Sequence, residues 1–463
     1  MKKILATLLS GMTLLSCAAC TSPFEDSGVV DGKYNITIAA QDEDGEQEIL
    51  QILADRYQEI NPNVNIVIRD FGGERFERFM ARHASLQDEL PMIMWAPDDQ
   101  FAMYAEGGYF LDLRSYYESS AETSYDLYYE SMLHAANYWG NYKPLSEDSD
   151  PKYGLYFAPR DYNQIAIVCN TKLFNQFGIE IPDTSDGWEM SELFELCRNI
   201  CKKLSESGNK AKAYRAIKLF AQWEPVYTTM FKALGSDGVI QDGKLAMDTE
   251  QNKAIINKLY EELYGAGYYN DTNYMIDTAD DFNRGTVFMT VVSRPLVLAM
   301  SKNLKDATTG EPLIDFLPFP AEYVGAGCSG YGIITKHAEE EQTVNGVTKK
   351  VKDICWDFIK FVISEEGQEL AGSTGFMQPI LKSLEAGGAW RSAISSDLNH
   401  GAWCQGKELR LTSYNVFEPA KRSSLRNIAT TFFQGCADYT KGSPANVGGH
   451  IETYVEYFNR TAQ

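Results

Sequence analysis

Beyond its first sixteen residues the chain has no apolar run approaching the ~20 residues that cross a bilayer, so an integral membrane protein built on helices is excluded. Histidine is scarce. The five histidines lie far apart and none falls in an H-E-x-x-H pattern, which removes a helical zinc site of that kind. There is no G-x-S-x-G and no P-loop, so neither a nucleophile elbow nor a nucleotide-phosphate cradle is present. Positive charge is short, with 42 Lys and Arg against 64 Asp and Glu and a formal charge of −22. Such a surface repels nucleic acid and anionic membranes, and neither is expected as a partner. A disulfide framework is also missing. Cys169, Cys197, Cys201, Cys328, Cys355, Cys404 and Cys436 stand singly in apolar contexts and are odd in number. Cys197 and Cys201 share a helix face by their spacing and read as buried thiols.

Two motifs are present without their context. Gly325-Ala326-Gly327-Cys328-Ser329-Gly330 fits G-x-G-x-x-G, but a strand follows it where a dinucleotide site requires a helix. Asp42-Glu43-Asp44-Gly45 begins like a calcium loop, yet its glycine comes two places early and no glutamate stands at the twelfth position. No metal and no cofactor are expected.

What the chain does have begins at its first residue. Met1-Lys2-Lys3, a short apolar run over 4–16 and a small residue before Cys17 make a secretory signal. Leu14-Leu15-Ser16-Cys17 resembles the lipobox of bacterial lipoproteins, with Cys20 after Ala18-Ala19 as the alternative acylated residue. Several acyl chains would hold the protein on the outer face of the cell membrane, since each buried CH₂ adds about 0.8 kcal/mol. The Cys17-x-x-Cys20 spacing precedes no helix, so a redox role is set aside. Residues 17–33 are polar and aperiodic, a tether.

The remainder of the 463-residue chain is too long for one core and calls for two. Residues 34–40 alternate like a strand, and 49–60 carry apolar residues at helical spacing until Asn61-Pro62 stops them. Strands follow at 64–68 and 92–96, with 109–113 closing the series. A second α/β series starts near Tyr162. It comprises a strand at 165–169, helices at 171–177, 191–204, 223–234 and 249–264, strands at 287–292 and 330–335, and a helix at 352–363. Strand–helix alternation of this kind gives sheets with helices on both faces.

Several segments, taken in order from about Ile36 to Pro379, resemble the extracellular solute-binding proteins that include maltose-binding protein. Pro91-Met92-Ile93-Met94-Trp95-Ala96-Pro97-Asp98-Asp99 is similar to the family's strand ending in a Trp and Asp loop. Ile165-Ala166-Ile167-Val168-Cys169-Asn170-Thr171-Lys172-Leu173-Phe174 resembles its "YNKDLF" segment. Gly178 to Glu189 matches "G-x-x-x-P-x-T-W-x-E" with a small insertion. Phe282-Asn283-Arg284-Gly285-Thr286-Val287-Phe288-Met289 is similar to "F-x-x-G-x-x-A-M", and Trp356-Asp357-Phe358-Ile359-Lys360-Phe361 to "A-W-x-F-L-K-F".

The resemblance implies an α/β fold of the two-lobe periplasmic-binding-protein kind, type II, which closes on its ligand about a hinge. Lobe 1 is expected to hold 34–160 and 290–332, and lobe 2 to hold 161–289 and 333–463. Crossings are expected near 160–163, 290–293 and 332–336. Ligands of open α/β sheets sit at the carboxyl ends of strands, which points to the loops after Ala40, Ala96 and Val168.

A sugar needs carboxylates or amides for its hydroxyls and aromatic rings for its CH faces. Trp95 with Asp98 and Asp99 is the strongest such constellation, Trp95 and Asp98 also matching family binding positions. Its alternative is a core Trp beside a helix N-cap. Asp42, Glu43 and Asp44 match the family's first ligand loop, although acids before a helix also suit its dipole. Asp161, Tyr162 and Asn163 lie at a crossing. Trp223-Glu224-Pro225-Val226-Tyr227 resembles the family's "E-P-Y-F" stretch and nominates Trp223, Glu224 and Tyr227. Arg294 stands where relatives often carry Trp or Pro, a departure that indicates an acidic or substituted sugar. Tyr331 is a rim candidate. The expected activity is binding, not catalysis. A monomer takes up an extracellular carbohydrate, expected to be an oligosaccharide, and delivers it to the permease of an ABC-type importer. The alternatives are a lipid-anchored glycoside hydrolase, or a binding protein for a peptide, polyamine or anion.

Overall fold

The computed structural model describes residues 28–41, 45–83, 90–98, 100–137, 154–208, 214–219, 223–242, 244–263, 282–409 and 445–461. The signal segment, Cys17, Cys20 and Cys436 therefore lie outside the described residues. The strand Tyr34–Ala40 (β1) is buried at all seven positions. The helix Glu46–Ile60 follows and buries Ile49, Leu50, Leu53, Ala54 and Tyr57, a stripe at the spacing of helical turns. Val64–Asp70 (β2) and Ile93–Pro97 (β3) then pair parallel with β1 on its two sides, Tyr34 opposite Val64 and Ile38 opposite Ile93.

Further along come Ala158–Pro159 (β4), Asn163–Gln164 (β5), Ala166–Asn170 (β6) and Arg215–Leu219 (β7). Ile240–Gln241 (β8) and Lys244–Leu245 (β9) form a small hairpin. Val287–Val292 (β10), Ile314–Pro318 (β11), Tyr323–Gly327 (β12) and Ser329–Ile333 (β13) complete the main strands. The first sheet runs β2-β1-β3-β13-β4 and the second β11-β6-β10-β7. β12 links β5 to the late strand Lys407–Leu409.

β6 and β10 are apolar at every position but Asn170 and Thr290 because both of their faces are covered. Cys169, Met289 and Val291 belong to a core with the helix Met190–Glu206, whereas Val168 and Val292 belong to one with Trp390 and Trp403. The first sheet has its own core, which takes in the helix Val351–Val362 through Ile354, Phe358 and Ile359.

This pairing differs from the expected lobe limits. β10 and β11 flank β6, so 290–318 belongs with the second sheet, while β13 lies against β3 and carries the chain back to the first. The helix Val351–Val362 packs on the first sheet, and the helix Ala445–Thr461 packs on the second core through Ile451, Val455 and Phe458. An all-apolar strand suits either sheet, and only its partners decide. The chain crosses between sheets at 160–163 as expected, but returns at 327–329, and 290–293 stays within the second. It crosses again between Leu384 of the first core and Trp390 of the third. Residues 109–113 form no strand, and Phe110 alone bridges Ile334. Cys169, Cys197, Cys201, Cys328 and Cys355 are buried free thiols and Cys404 is a half-buried one. Among the described residues no helix is long and apolar enough to cross a membrane.

Candidate functional site

Strand direction decides which loops meet between the sheets. β1, β3 and β10 end there, and Gln41, Asp98 and Ser293 are the residues just past their ends. The loop after β2 brings Arg75 and Phe76, and the residues after β7 bring Trp223. All line one cavity of ≈ 270 Å³. β6 runs antiparallel to β10, so the end that faces the cavity is its beginning, beside Asn163. The loop after Val168 therefore points away, and that expectation fails. β13 and β4 obey the same rule, with Ser329 and Arg160 at the cavity.

At its floor the crossing strands form a buried ionic cluster. Arg160, 3 % exposed, donates from Nη2 to Glu46 Oε2 at 2.7 Å, to Asp161 Oδ2 at 2.6 Å and to Ser329 Oγ at 3.0 Å. Asp161 also accepts the Ser329 backbone N–H at 2.7 Å. The Tyr331 hydroxyl donates to Glu46. Burial raises the pKa of Glu46, and Arg160 and Tyr331 only partly offset it. Burial alone would lower Arg160, but Glu46 and Asp161 outweigh it and hold the guanidinium protonated. A dry charge cluster is costly unless its members bond one another, which is why these residues are found linked. It couples the helix Glu46–Ile60 to both crossings at 160–163 and 327–329. Asp98 is likewise tied to a crossing, accepting the Cys328 N–H at 3.0 Å and donating its own N–H to the Cys328 carbonyl at 3.1 Å.

Two glycines admit aromatic rings to the walls. A Cβ on Gly327 would stand 2.5 Å from Cζ2 of Trp223, and one on Gly45 2.3 Å from the Phe376 ring. Gly45 also has φ +76°, which disfavours a side chain on its own account. Trp223 is half-buried and Phe376 comes from the segment after the helix Glu365–Gly372. Both rings line the cavity among polar groups, an arrangement that can cover apolar ligand faces while Gln41, Gln100, Asn163 and Ser293 take hydrogen bonds.

The expected site residues divide accordingly. Trp95, Asp98, Asp161, Asn163 and Trp223 line the cavity. Trp95 is 5 % exposed and packs on Phe71 and Phe76 at 6.3 and 6.4 Å between ring centres, the core arrangement that stood as its alternative. Its indole N–H lies near enough to Glu46 to help lower that carboxyl's pKa, yet has no hydrogen-bond partner of normal geometry. Tyr331 is fully buried and serves the ionic cluster, so it is no rim residue. Tyr162 stacks on Tyr129 at 4.0 Å, and Tyr227 is 2 % exposed in the second core. Glu224 opens the first turn of the helix Glu224–Ala233, outside the cavity lining. Arg294 is also misplaced. It is fully buried, donates to the Trp390 carbonyl at 2.7 Å and contacts His400 Nδ1 at 3.2 Å, with Trp390, Phe316 and Trp403 around it. Its neighbours Ser293 and Pro295 reach the cavity instead. Asp42, Glu43, Asp44 and Asp99 lie outside the described residues. Sequence reasoning missed Glu46, Arg160, Ser329 and Phe376. The Gly325–Gly330 motif held the signal for the 327–329 crossing, because its glycines sit where strands and rings press together. Among the described residues no group of three potential ligands could hold a metal ion.

The model of the bacterial extracellular solute-binding protein family matches residues 42–369. No curated protein sequence matches the chain. Among solved structures, an ABC substrate-binding protein of Listeria monocytogenes in complex with cycloalternan is 13 % identical. It has a TM-score of 0.67, and the match covers 93 % of this chain and 99 % of that one. Maltose-bound MalE3 of T. maritima is 12 % identical, with TM-score 0.63 and coverages of 92 % and 99 %. UgpB of Mycobacterium tuberculosis, in complex with glycerophosphocholine, is 16 % identical, with TM-score 0.67 and coverages of 93 % and 99 %.

Proposed function

This chain belongs to the bacterial extracellular solute-binding proteins, and from that membership we propose that it binds a carbohydrate between its lobes and delivers it to the permease of an ABC-type importer. One observation carries the reading: a single cavity draws Gln41 and Asp98 from the ends of first-sheet strands, Trp223 and Ser293 from beyond strands of the second, and Asn163 from the crossing between them. A ligand touching both walls favours the closed arrangement, which is the hinge motion such proteins use. Two of the three structural relatives described above hold sugars, which supports a carbohydrate. At ≈ 270 Å³ the cavity lies just below the range usual for ligand sites, about 300–1,000 Å³, so an oligosaccharide would seat one end there. Acylation at Cys17, with Cys20 as the alternative, would keep the protein at the outer face of the membrane. It acts as a monomer.

Binding is favoured over glycoside hydrolysis by the state of the lining acids. Hydrolysis needs one carboxylic acid to donate a proton and a second carboxylate free to attack or to activate water. Glu46 and Asp161 share Arg160, and Asp98 accepts a backbone N–H. The glycerophosphocholine complex of one relative keeps a non-sugar solute as the second reading. Mass spectrometry of the ligand that co-purifies with the protein tests the proposal, backed by incubation with an oligosaccharide panel. A sugar that shifts the melting curve without turnover supports it. Product formation supports the hydrolase, and a co-purified non-sugar solute supports the second reading.

A further inference from the structure

The described lining of the cavity is tilted toward hydrogen-bond donors. Its acids are already engaged, Glu46 and Asp161 by Arg160 and Asp98 by Cys328. The Nε–H of Arg160 remains unpartnered and the indole N–H of Trp95 leans on Glu46 without a bond of normal geometry, against one unpartnered buried acceptor, Asn163 Oδ1. Trp95 is 5 % and Arg160 3 % exposed, so neither is satisfied by bulk water. On the same wall stands Arg75, exposed and immediately before the helix Phe76–His83. Among the described residues it has no ion pair. A guanidinium presents a planar fork of N–H groups that fits a carboxylate or phosphate with two parallel bonds. A sugar hydroxyl can accept from a guanidinium, but it carries no charge to pair with it and a single hydroxyl does not fill the fork.

We propose that the ligand is an acidic sugar, carrying a carboxylate or a phosphate, and that Arg75 is the residue that reads its anion. This rests on the carbohydrate reading of the same cavity. The chain's net charge of −22 does not oppose it at contact range. Distant surface charges are screened over about 8 Å at physiological ionic strength, whereas a guanidinium touching its ligand is not. The preference for an acidic sugar first suggested by Arg294 is thus assigned to a different arginine. Arg294 is sealed among aromatic rings and cannot reach a ligand, but Arg75 can.

The test is calorimetric titration of the full chain, stripped of co-purified ligand, with matched probes. The neutral set is glucose, galactose and maltose, and the acidic set glucuronate, galacturonate, digalacturonate and glucose 6-phosphate. At least one acidic probe should bind about tenfold or more tightly than its neutral counterpart, the size expected of a charge-assisted bond. The margin should shrink as salt rises. Arg75→Gln should collapse the acidic-to-neutral ratio, and Arg75→Lys, which keeps the charge but not the fork, should restore part of it. Carboxylate and phosphate probes compared with one another show which anion is read. Because Arg75 is exposed, both variants should melt like the wild type. Equal affinities for acidic and neutral probes overturn the proposal and leave the carbohydrate reading standing, as does a ratio unchanged in Arg75→Gln. Failure of every sugar to bind overturns both.

Discussion

Trp95 and Trp223 line the same cavity yet should respond to truncation in opposite ways. Trp95 is 5 % exposed and wedged against Phe71 and Phe76, whereas Trp223 is half-buried at the start of its helix with its ring laid over Gly327. Trp95→Ala leaves a cavity in the first core and should cost about 3–5 kcal/mol of stability. With each kcal/mol worth about 2–4 °C in a domain of that size, its melting temperature should fall by about 6–20 °C. Trp223→Ala removes a ring already partly in water. Its stacking is worth about 0.5–1.5 kcal/mol beyond area, so ligand binding should weaken several-fold to about tenfold while melting changes little. Gly327→Ala adds a Cβ 2.5 Å from Cζ2 of Trp223 and should reproduce the binding loss by displacing the ring. Calorimetric titration with the co-purified ligand, run beside melting curves on all three variants, reads both effects. The reasoning fails if Trp223→Ala melts as low as Trp95→Ala while its folded fraction binds with unchanged Kd.

Further expectations follow from the same physical grounds. Cys17→Ala should release the protein from the membrane fraction, and retention of that variant with release of Cys20→Ala would move the cut site by three residues. Saturating ligand should reduce the radius of gyration measured by small-angle scattering, and an unchanged radius with proven binding would count against closure. Burial, with the adjacent Arg294 and Arg391, lowers the pKa of His400 to about 4 from the ordinary histidine value of about 6.5, so the unfolded chain binds the proton more readily between those values. His400 should therefore favour the fold fully above pH 6.5 and lose that contribution as pH falls toward 4. A urea midpoint that drops no more steeply for the wild type than for His400→Gln would exclude it.

Much of the architecture is legible in the sequence. Helices at 171–177 and strands at 287–292 and 34–40 show plain periodicity or plain apolar runs, and local physics suffices for them. The family segments, each weak alone, named the two-lobe fold by their order. Five residues of the cavity are legible in the sequence: Trp95, Asp98 and Trp223 because a Trp at a strand end or beside Glu-Pro is an uncommon pattern, and Asp161 and Asn163 because they lie at an expected crossing. Others resembled ordinary residues: Glu46 is an acid in the first turn of a helix, and Ser329 is one serine in a glycine-rich run.

Residue pattern by itself settled most of the strand and helix content and the α/β class, because these depend on neighbours within a few positions. Tertiary structure decided everything that depends on which strand lies beside which. β6 runs against β10, and that alone turns the loop after Val168 away from the cavity and brings Asn163 to it. Arg294 and Arg75 are both single arginines beside helix starts, indistinguishable as letters. One is enclosed by Trp390, Phe316 and Trp403 and the other opens onto the cavity, because the direction of a side chain is set by packing between segments far apart in sequence.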